Sequence, residues 1–207
     1  EICACLVGSE MCIRDRSTSV KDATIPFVTS DNYQMGYTAT QLMIDKGHTK
    51  IALAGIPTTG SINLRTQGYL ACMADHHLPV KPEWIHYGSC TYDDGIKAWQ
   101  AYAKKREITC AICASDFTAI GLMNAVTESG LKIPDDISLV SFDGTEMVDM
   151  VRPRITSITQ SFYDMGLAGI QYLINGKDVK TEYLPFKLTE RDSTRNLTAA
   201  EQGSKKD

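Results

Sequence analysis

From residue 25 onward, short runs of apolar and β-branched residues alternate with longer stretches in which apolar residues recur every three or four positions. The short runs predict strands at 25–29, 50–55, 84–87, 109–114, 137–141, 155–159 and 183–189. The longer stretches predict helices between them, at 33–46, 62–76, 93–105, 117–129 and 163–174. This alternation constrains the fold strongly, because consecutive parallel strands need a crossover connection, usually a helix.

The predicted strands are apolar along most of their length, as in Thr-Cys-Ala-Ile-Cys-Ala at 109–114. Strands of this kind are typical of a parallel sheet that is covered by helices on both faces. Gly47 and Gly130 follow two of the predicted helices, where a left-handed cap residue is favoured. The sequence therefore predicts an α/β protein built on doubly wound parallel sheets.

Charge and hydropathy exclude several function classes. The 207 residues contain 21 Lys and Arg against 25 Asp and Glu, a net charge of -4, and the basic residues do not cluster. We expect such a chain to bind polyanions poorly as it stands. No apolar run approaches the roughly 18 residues of a membrane helix, and no leader with a cleavage site opens the chain. The sequence therefore predicts a soluble, cytoplasmic protein that does not contact a membrane.

The two ends of the chain differ from the rest. Residues 1–19 show neither strand nor helix periodicity, and Met-Cys-Ile-Arg-Asp at 11–15 resembles the translation of a transposon end used in sequencing libraries. We interpret 1–24 as either extraneous sequence or a genuine disordered leader. The tail at 199–207 is polar and predicts disorder.

Polar residues follow the carboxyl ends of the predicted strands, where ligands bind to open α/β sheets. They include the acceptors Asp31 and Asp143, the amide Gln160, the rings of Tyr92, Phe117 and Phe162, several hydroxyls, and Arg65 one turn into a helix. Such a set suits a small polyhydroxylated or heterocyclic ligand. An alternative interpretation is that Asp31, Asp116 and Asp143 are only helix caps and turn residues.

Seven ordered segments span about Ile25 to Arg195, over four-fifths of the chain: Ile25-Pro-Phe-Val-Thr-Ser-Asp-Asn-Tyr-Gln-Met-Gly-Tyr, Lys46-Gly-His-Thr-Lys-Ile-Ala, Leu64-Arg-Thr-Gln-Gly-Tyr, Ala114-Ser-Asp-Phe-Thr-Ala-Ile-Gly, Ile133-Pro-Asp-Asp-Ile-Ser-Leu-Val-Ser-Phe-Asp-Gly, Arg152-Pro-Arg-Ile-Thr-Ser-Ile-Thr-Gln and Glu190-Arg-Asp-Ser-Thr-Arg. Together they resemble the lactose-repressor/galactose-repressor family of bacterial transcription regulators. Ordered motifs with their spacing are a far more specific signal than a single glycine pattern.

The resemblance implies a type I periplasmic-binding-protein-like core at 25–198, in which two lobes close on a ligand and three segments cross between them. It implies crossings near Ser30, Gln160 and Leu188. The second lobe would then be complete at 31–159, and 160–188 would be the return segment of an incomplete first lobe. The resemblance also implies that a helix-turn-helix, which would read operator DNA, is missing from the N-terminal side.

The resemblance further implies contacts with a small-molecule effector, which we expect to be a sugar or sugar derivative. The implied contacts are Asp31, Ser61, Arg65, Cys90, Ser115, Asp143 and Gln160, with Phe162 at the cleft floor and Phe117 added from the strand-end pattern. Two positions depart from the family pattern. Cys90 stands where an aromatic is frequent, and Ser115-Asp116 stands where Asn-Asp is usual. These departures leave the identity of the effector open.

Other chemistries find little support in the sequence. No nucleophile elbow or phosphate loop occurs, so we predict that the chain is not an enzyme and needs no cofactor. Cys110 and Cys113 have C-x-x-C spacing, but residues three apart on a strand face opposite sides of the sheet. We therefore predict two buried thiols and no metal site.

Two functions remain open at this stage. The first is an effector-sensing domain that acts as a dimer and controls a DNA-binding region by a population shift between conformations. The alternative is a periplasmic sugar-binding protein of a transporter, which has the same fold. The Gly47-His48 and Ile133-to-Gly144 segments favour the regulator, as do cysteines suited to a reducing compartment.

Overall fold

The computed structural model describes residues 28–60, 62–175 and 181–197. The strands are β1 (Val28–Ser30), β2 (Ile51–Ile56), β3 (Ile85–Tyr87), β4 (Cys110–Cys113), β5 (Ser138–Asp143), β6 (Thr156–Gln160), β7 (Glu182–Leu184) and β8 (Phe186–Thr189). The helices are α1 (Asn32–Asp45), α2 (Asn63–Asp75), α3 (Tyr92–Ala103), α4 (Asp116–Glu128), α5 (Met147–Met150) and α6 (Phe162–Asn175), with a 3-10 turn at Pro82–Trp84. Every predicted helix is present, and α5 is an additional short one. Gly47 and Gly130 have the positive φ of left-handed caps.

Six strands form one sheet in the order β3-β2-β4-β5-β6-β8. The first five are parallel, in agreement with the predicted α/β fold. The edge strand β8 runs antiparallel to β6 and is the exception to the parallel sheet expected from the sequence. Because β8 reaches the sheet directly from β7 rather than through a crossover helix, it is free to run in the opposite direction.

Helices cover both faces of this sheet and give it two apolar layers. One layer packs α1 and α2 against the sheet, through Met43, Tyr69 and other side chains. The opposite layer packs α3 and α4 through Trp99, Leu122 and others. Cys110 lies in the first layer and Cys113 in the second, so the two thiols face opposite sides as predicted.

A second, two-stranded sheet pairs β1 with β7, and α6 packs against β1. The sequence predicts a single strand at 183–189, and this prediction is wrong. The structure divides that segment into β7 in the small sheet and β8 in the large one. The division falls at Pro185, which has no N–H to donate to a sheet. The chain therefore passes from the small sheet to the large one at Pro185, and it leaves β1 at Ser30 and β6 at Gln160.

The segment after β8 also packs against the large sheet. The buried hydroxyl of Ser193 donates to the Leu139 carbonyl at 2.6 Å and accepts from the Thr156 N–H at 2.8 Å. The Leu197 N–H donates to the Lys46 carbonyl at 2.8 Å. These contacts join residues far apart in sequence, so no local pattern predicts them.

His48 fixes the same C-terminal segment from inside the lobe. Its ring is fully buried, with Nδ1 2.9 Å from Thr109 Oγ1 and Nε2 3.3 Å from the Arg195 carbonyl. Because Arg195 offers an acceptor, the neutral ring donates from Nε2 and accepts at Nδ1. Burial lowers the pKa of His48, the hydrogen bond to the Arg195 carbonyl opposes this, and the charges of Arg195 and Lys46 act with burial, so that the pKa is about 4.

Acidification is expected to destabilise the protein through His48. The folded pKa lies below the unfolded value near 6.5, so the unfolded chain binds a proton first as pH falls through the interval from about 6.5 to 4. The free energy of unfolding therefore keeps the full contribution of the neutral ring above pH 6.5. It falls by up to about 3 kcal/mol as the pH drops from about 6.5 to 4. Urea unfolding between pH 7 and 4.5 should show a shallower pH dependence in His48→Gln than in the wild type.

The exposed His77 supplies the control, since His77→Gln should retain the wild-type pH dependence. Equal pH dependence in the wild type and His48→Gln would contradict a buried neutral ring at position 48.

Candidate functional site

Arg65 lies at the centre of the candidate site, near the N-terminus of α2, and is only 3% exposed. Its Nε donates to Asn32 Oδ1 at 2.8 Å and its Nη1 donates to the Ala114 carbonyl at 2.7 Å. The guanidinium carbon lies 4.5 Å from the centroid of the Phe142 ring. Since these partners belong to α1, the end of β4 and β5, the plane of the guanidinium is fixed by three elements at the carboxyl edge of the sheet.

Asp143 and Gln160 end the neighbouring strands β5 and β6 and face Arg65. Gln160 Nε2 donates to Asp143 Oδ1 at 3.0 Å, and Arg65 Nη2 lies 3.8 Å from the same oxygen. The second distance is that of an ion pair and is too long for a hydrogen bond. Within the described part of the chain, the hydrogen bonds of Asp143 use Oδ1 alone, so Oδ2 keeps its lone pairs. The site therefore offers a carboxylate acceptor beside a guanidinium donor.

The Asp143 carboxylate is balanced between opposing influences. Its side chain is 25% exposed, and burial raises its pKa, with the nearby Asp116 acting in the same direction. Arg65 and the hydrogen bond from Gln160 act to lower the pKa, and the balance is a raised value. Arg65 supplies one positive charge, and Asp143 and Asp116 supply two carboxylates, so the site does not favour an anionic ligand.

Three other predicted contact residues take part in helix capping and loop structure. Asp31 caps α1 by accepting from the Gln34 N–H at 3.0 Å, as the helix-cap interpretation expects. The Ser115 hydroxyl caps α4 and donates to the Cys90 carbonyl at 2.8 Å, so its single proton is already used. Cys90 has a left-handed φ of 62° in the loop before α3, a conformation held by this contact.

The remaining predicted residues lie at the starts of helices. Phe117 in α4 is 55% exposed and Phe162 at the first position of α6 is 44% exposed. Tyr92, at the start of α3, accepts a hydrogen bond from Asn124. Ser61 lies outside the described residues. The structure thus joins Arg65, Asp143 and Gln160 by direct contacts.

Asn32 is a site residue that the sequence did not identify. While its Oδ1 receives the Arg65 Nε–H, its Nδ2 donates to the Ser30 carbonyl at 3.3 Å. Arg65 is thereby linked to the first crossing, and Asp143 is linked through Gln160 to the second. A cue was present in the sequence, since Asn32 belongs to the polar run Ser30-Asp31-Asn32 that follows the first predicted strand.

The described residues contain no group of three or more His, Cys, Asp or Glu side chains positioned to hold a metal ion. Among these same residues, no helix combines the length and apolar character needed to cross a membrane.

Comparison with known proteins identifies the fold family. A model described as a periplasmic binding protein-like domain matches residues 40–194. The chain belongs to this family. Catabolite control protein A of Priestia megaterium is 34% identical to this periplasmic binding protein-like chain over 179 residues, which are 83% of this chain and 54% of that protein. The chain spans about half the length of the curated relatives it matches.

Solved structures give the same result for the periplasmic binding protein-like core. A transcription regulator from Lactobacillus plantarum is 38% identical, with a TM-score of 0.81 over 84% of this chain and 70% of that one. A LacI family transcriptional regulator, CCPA, from Weissella paramesenteroides with bound sucrose is 28% identical, with a TM-score of 0.75 over 87% of this chain and 68% of that one. The resemblance to the lactose-repressor/galactose-repressor family is confirmed, because these relatives are regulators of that kind.

Proposed function

We propose that this chain is the effector-binding domain of a bacterial transcription regulator and that its effector is a neutral sugar. The observation that carries the proposal is the juxtaposition of Arg65 and Asp143, whose Nη2 and Oδ1 atoms are 3.8 Å apart. A sugar hydroxyl both donates and accepts, so two adjacent hydroxyls complement a guanidinium and a carboxylate side by side. The exposed rings of Phe117 and Phe162 add surfaces on which the apolar face of a sugar can stack.

Hydrogen bonds from the site to the segments at Ser30 and Gln160 suggest how effector binding changes the conformation of the protein. Arg65 is bonded through Asn32 to Ser30, and Asp143 is bonded to Gln160, so each charged residue is linked to a different crossing segment. A sugar that engages both charged residues in one arrangement of the crossings stabilises that arrangement by its differential affinity. The effector therefore acts by population shift, and no covalent step is needed.

Similarity to transcription regulators supports placing this domain in a longer, DNA-binding protein. In that protein, which we propose to be a cytoplasmic homodimer, the sugar-dependent shift alters operator binding by a helix-turn-helix. The same similarity favours a regulator over a periplasmic transport component. The buried free thiols of Cys72, Cys110 and Cys113 suit a reducing cytoplasm. The chain binds its ligand rather than transforming it.

Titration calorimetry with the purified chain tests the proposal. Glucose and sucrose are suitable first ligands, because structures of a 28–29% identical regulator contain them. We expect at least one neutral sugar to bind more tightly than glucuronate, whose negative charge is disfavoured beside Asp143 and Asp116. Asp143→Asn should weaken that binding at least about tenfold, because it replaces a charged acceptor by a neutral one.

The matched control is Asp136→Asn, which changes an exposed carboxylate that accepts from the Lys132 N–H at the opposite end of β5. Its affinity for the sugar should equal that of the wild type. The proposal fails if no neutral sugar binds across a broad panel, or if Asp143→Asn binds as tightly as the Asp136→Asn control.

A further inference from the structure

Asp116 holds a buried carboxylate that the site described so far does not use. It is the first residue of α4 and is 1% exposed. Its Oδ1 accepts from the hydroxyls of Ser141 at 2.5 Å and Ser157 at 3.3 Å. Its Oδ2 accepts from the N–H and the hydroxyl of Thr145, at 2.7 and 2.8 Å. The carboxylate thus receives three hydrogen bonds from β5 and the turn after β5. The single proton of the Ser157 hydroxyl on β6 is shared between Asp116 and the Ser141 carbonyl, which lies 3.2 Å away.

Three of these donor groups bracket Asp143. Ser141 precedes it by two residues and Thr145 follows it by two, so residues on both sides of Asp143 are bonded to one carboxylate, through the Ser141 hydroxyl and through the N–H and hydroxyl of Thr145. Between these ties the chain makes a left-handed turn, with φ of 99° at Asp143 and 66° at Gly144. A residue other than glycine adopts such a φ only when its surroundings impose it. The bonds to Asp116 provide that constraint.

The packing of the turn leaves it little freedom. A methyl group at Gly144 would lie 2.1 Å from the Thr159 hydroxyl oxygen, so the turn rests directly against β6. Asp116 holds the turn on one side and β6 supports it on the other. The direction of the Asp143 side chain towards Arg65 and Gln160 therefore depends on the carboxylate of Asp116.

We propose that Asp116 is a positioning residue for effector binding: its carboxylate holds the Asp143–Thr145 turn in the conformation that presents Asp143 to the ligand. The effect on ligand binding rests on the proposed function. The coupling of Asp116 to Asp143 does not, because it exists in the free protein. Asp116 itself does not touch the ligand.

The pKa of Asp143 provides a measurement that a purely structural role of Asp116 would not change. Asp116 forms no ion pair among residues 28–60, 62–175 and 181–197, so its negative charge acts on its surroundings. The ionisable and polar groups that face Asp143 are Arg65 from α2, Asp116 from α4 and Gln160 from β6. Burial and Asp116 raise the pKa of Asp143, while Arg65 and Gln160 oppose them. Removing the charge at position 116 should lower the pKa of Asp143.

The test uses Asp116→Asn, which keeps the shape of the side chain and removes its charge and one acceptor oxygen. Carbon-13 NMR titration of the aspartate carboxyl groups, without ligand, should show a lower pKa for Asp143 in Asp116→Asn than in the wild type. In calorimetry with the sugar that binds the wild type best, affinity should fall about tenfold. The control Asp136→Asn should change neither quantity.

A second variant, Thr145→Val, tests the same role if Asp116→Asn does not fold. Thr145→Val removes one hydroxyl donor to Asp116 and keeps the backbone N–H, and it should weaken sugar binding about fivefold with the fold retained. Wild-type sugar affinity in a folded Asp116→Asn, or in Thr145→Val if Asp116→Asn does not fold, would overturn the positioning role. If the wild type binds no sugar, the proposed function fails by itself, and an unchanged pKa of Asp143 in Asp116→Asn would still refute the coupling.

Discussion

Replacing Arg65 by methionine is expected to abolish measurable sugar binding, with a loss of at least about 100-fold in affinity. The variant keeps an unbranched side chain that can lie against Phe142 but removes every donor. Asn32 Oδ1 and the Ala114 carbonyl lose their partners, and Asp143 loses its counter-charge. We expect a stability loss of about 3 kcal/mol, because buried polar groups left without partners are costly. Calorimetry and urea unfolding measure the two effects separately.

Two further variants make this prediction specific. Arg65→Lys keeps the charge and loses the planar fork, so it should bind more weakly than the wild type and more tightly than Arg65→Met. Arg154→Met removes an arginine that pairs with Asp192 at 2.8 Å, a shorter distance than that from Arg65 to Asp143. Because Arg154 is 48% exposed on its side chain, its loss should lower stability much less than the loss of Arg65 and leave binding unchanged. Equal effects of Arg65→Met and Arg154→Met would contradict the buried site.

The charged residues of the site could be predicted because the fold determines where they lie. The alternation of strands and helices implies parallel strands, and residues after such strands meet at one edge. Arg65, Asp143 and Gln160 follow from that rule and from the family resemblance, and the structure joins them. Their partners could not be predicted in the same way. Asp116 looks like a helix-start carboxylate in the sequence, and its donors Ser141 and Ser157 lie on strands far along the chain.

The division of the last predicted strand has a similar explanation. Residues 183–189 are Tyr-Leu-Pro-Phe-Lys-Leu-Thr, a run rich in residues that favour strands, and this composition is the same whether the segment joins one sheet or two. Pro185 is the local sign of a break, but a proline is also tolerated in an edge strand. Only the pairings of β7 with β1 and of β8 with β6 decide between these possibilities.

Replacing Gly36 by alanine is expected to destabilise the protein by about 3 kcal/mol and to weaken sugar binding as well. Gly36 lies within α1, and a methyl group there would be 2.1 Å from the carbonyl oxygen of Arg65 on α2. Gly68 on α2 makes the reciprocal approach, with a methyl group 2.0 Å from the Tyr33 carbonyl oxygen. Because both contacts are with backbone atoms, no side chain can rotate away. The helices must separate, and the backbone of Arg65 moves with α2.

Whether Gly36→Ala raises or lowers the free energy of unfolding distinguishes the effect of helix packing from that of helix propensity. Alanine is favoured over glycine within a helix by about 1 kcal/mol, so Gly36→Ala would stabilise α1 if the helices did not touch. Gly130→Ala is the matched control, since no atom lies within 4 Å of its added methyl group and only its φ of +77° is unfavourable. That variant should lose about 1–2 kcal/mol of stability and bind sugar normally. A Gly36→Ala variant as stable as the wild type would show that α1 and α2 tolerate separation. Loss of binding in Gly36→Ala but not in Gly130→Ala would tie the position of Arg65 to this helix contact.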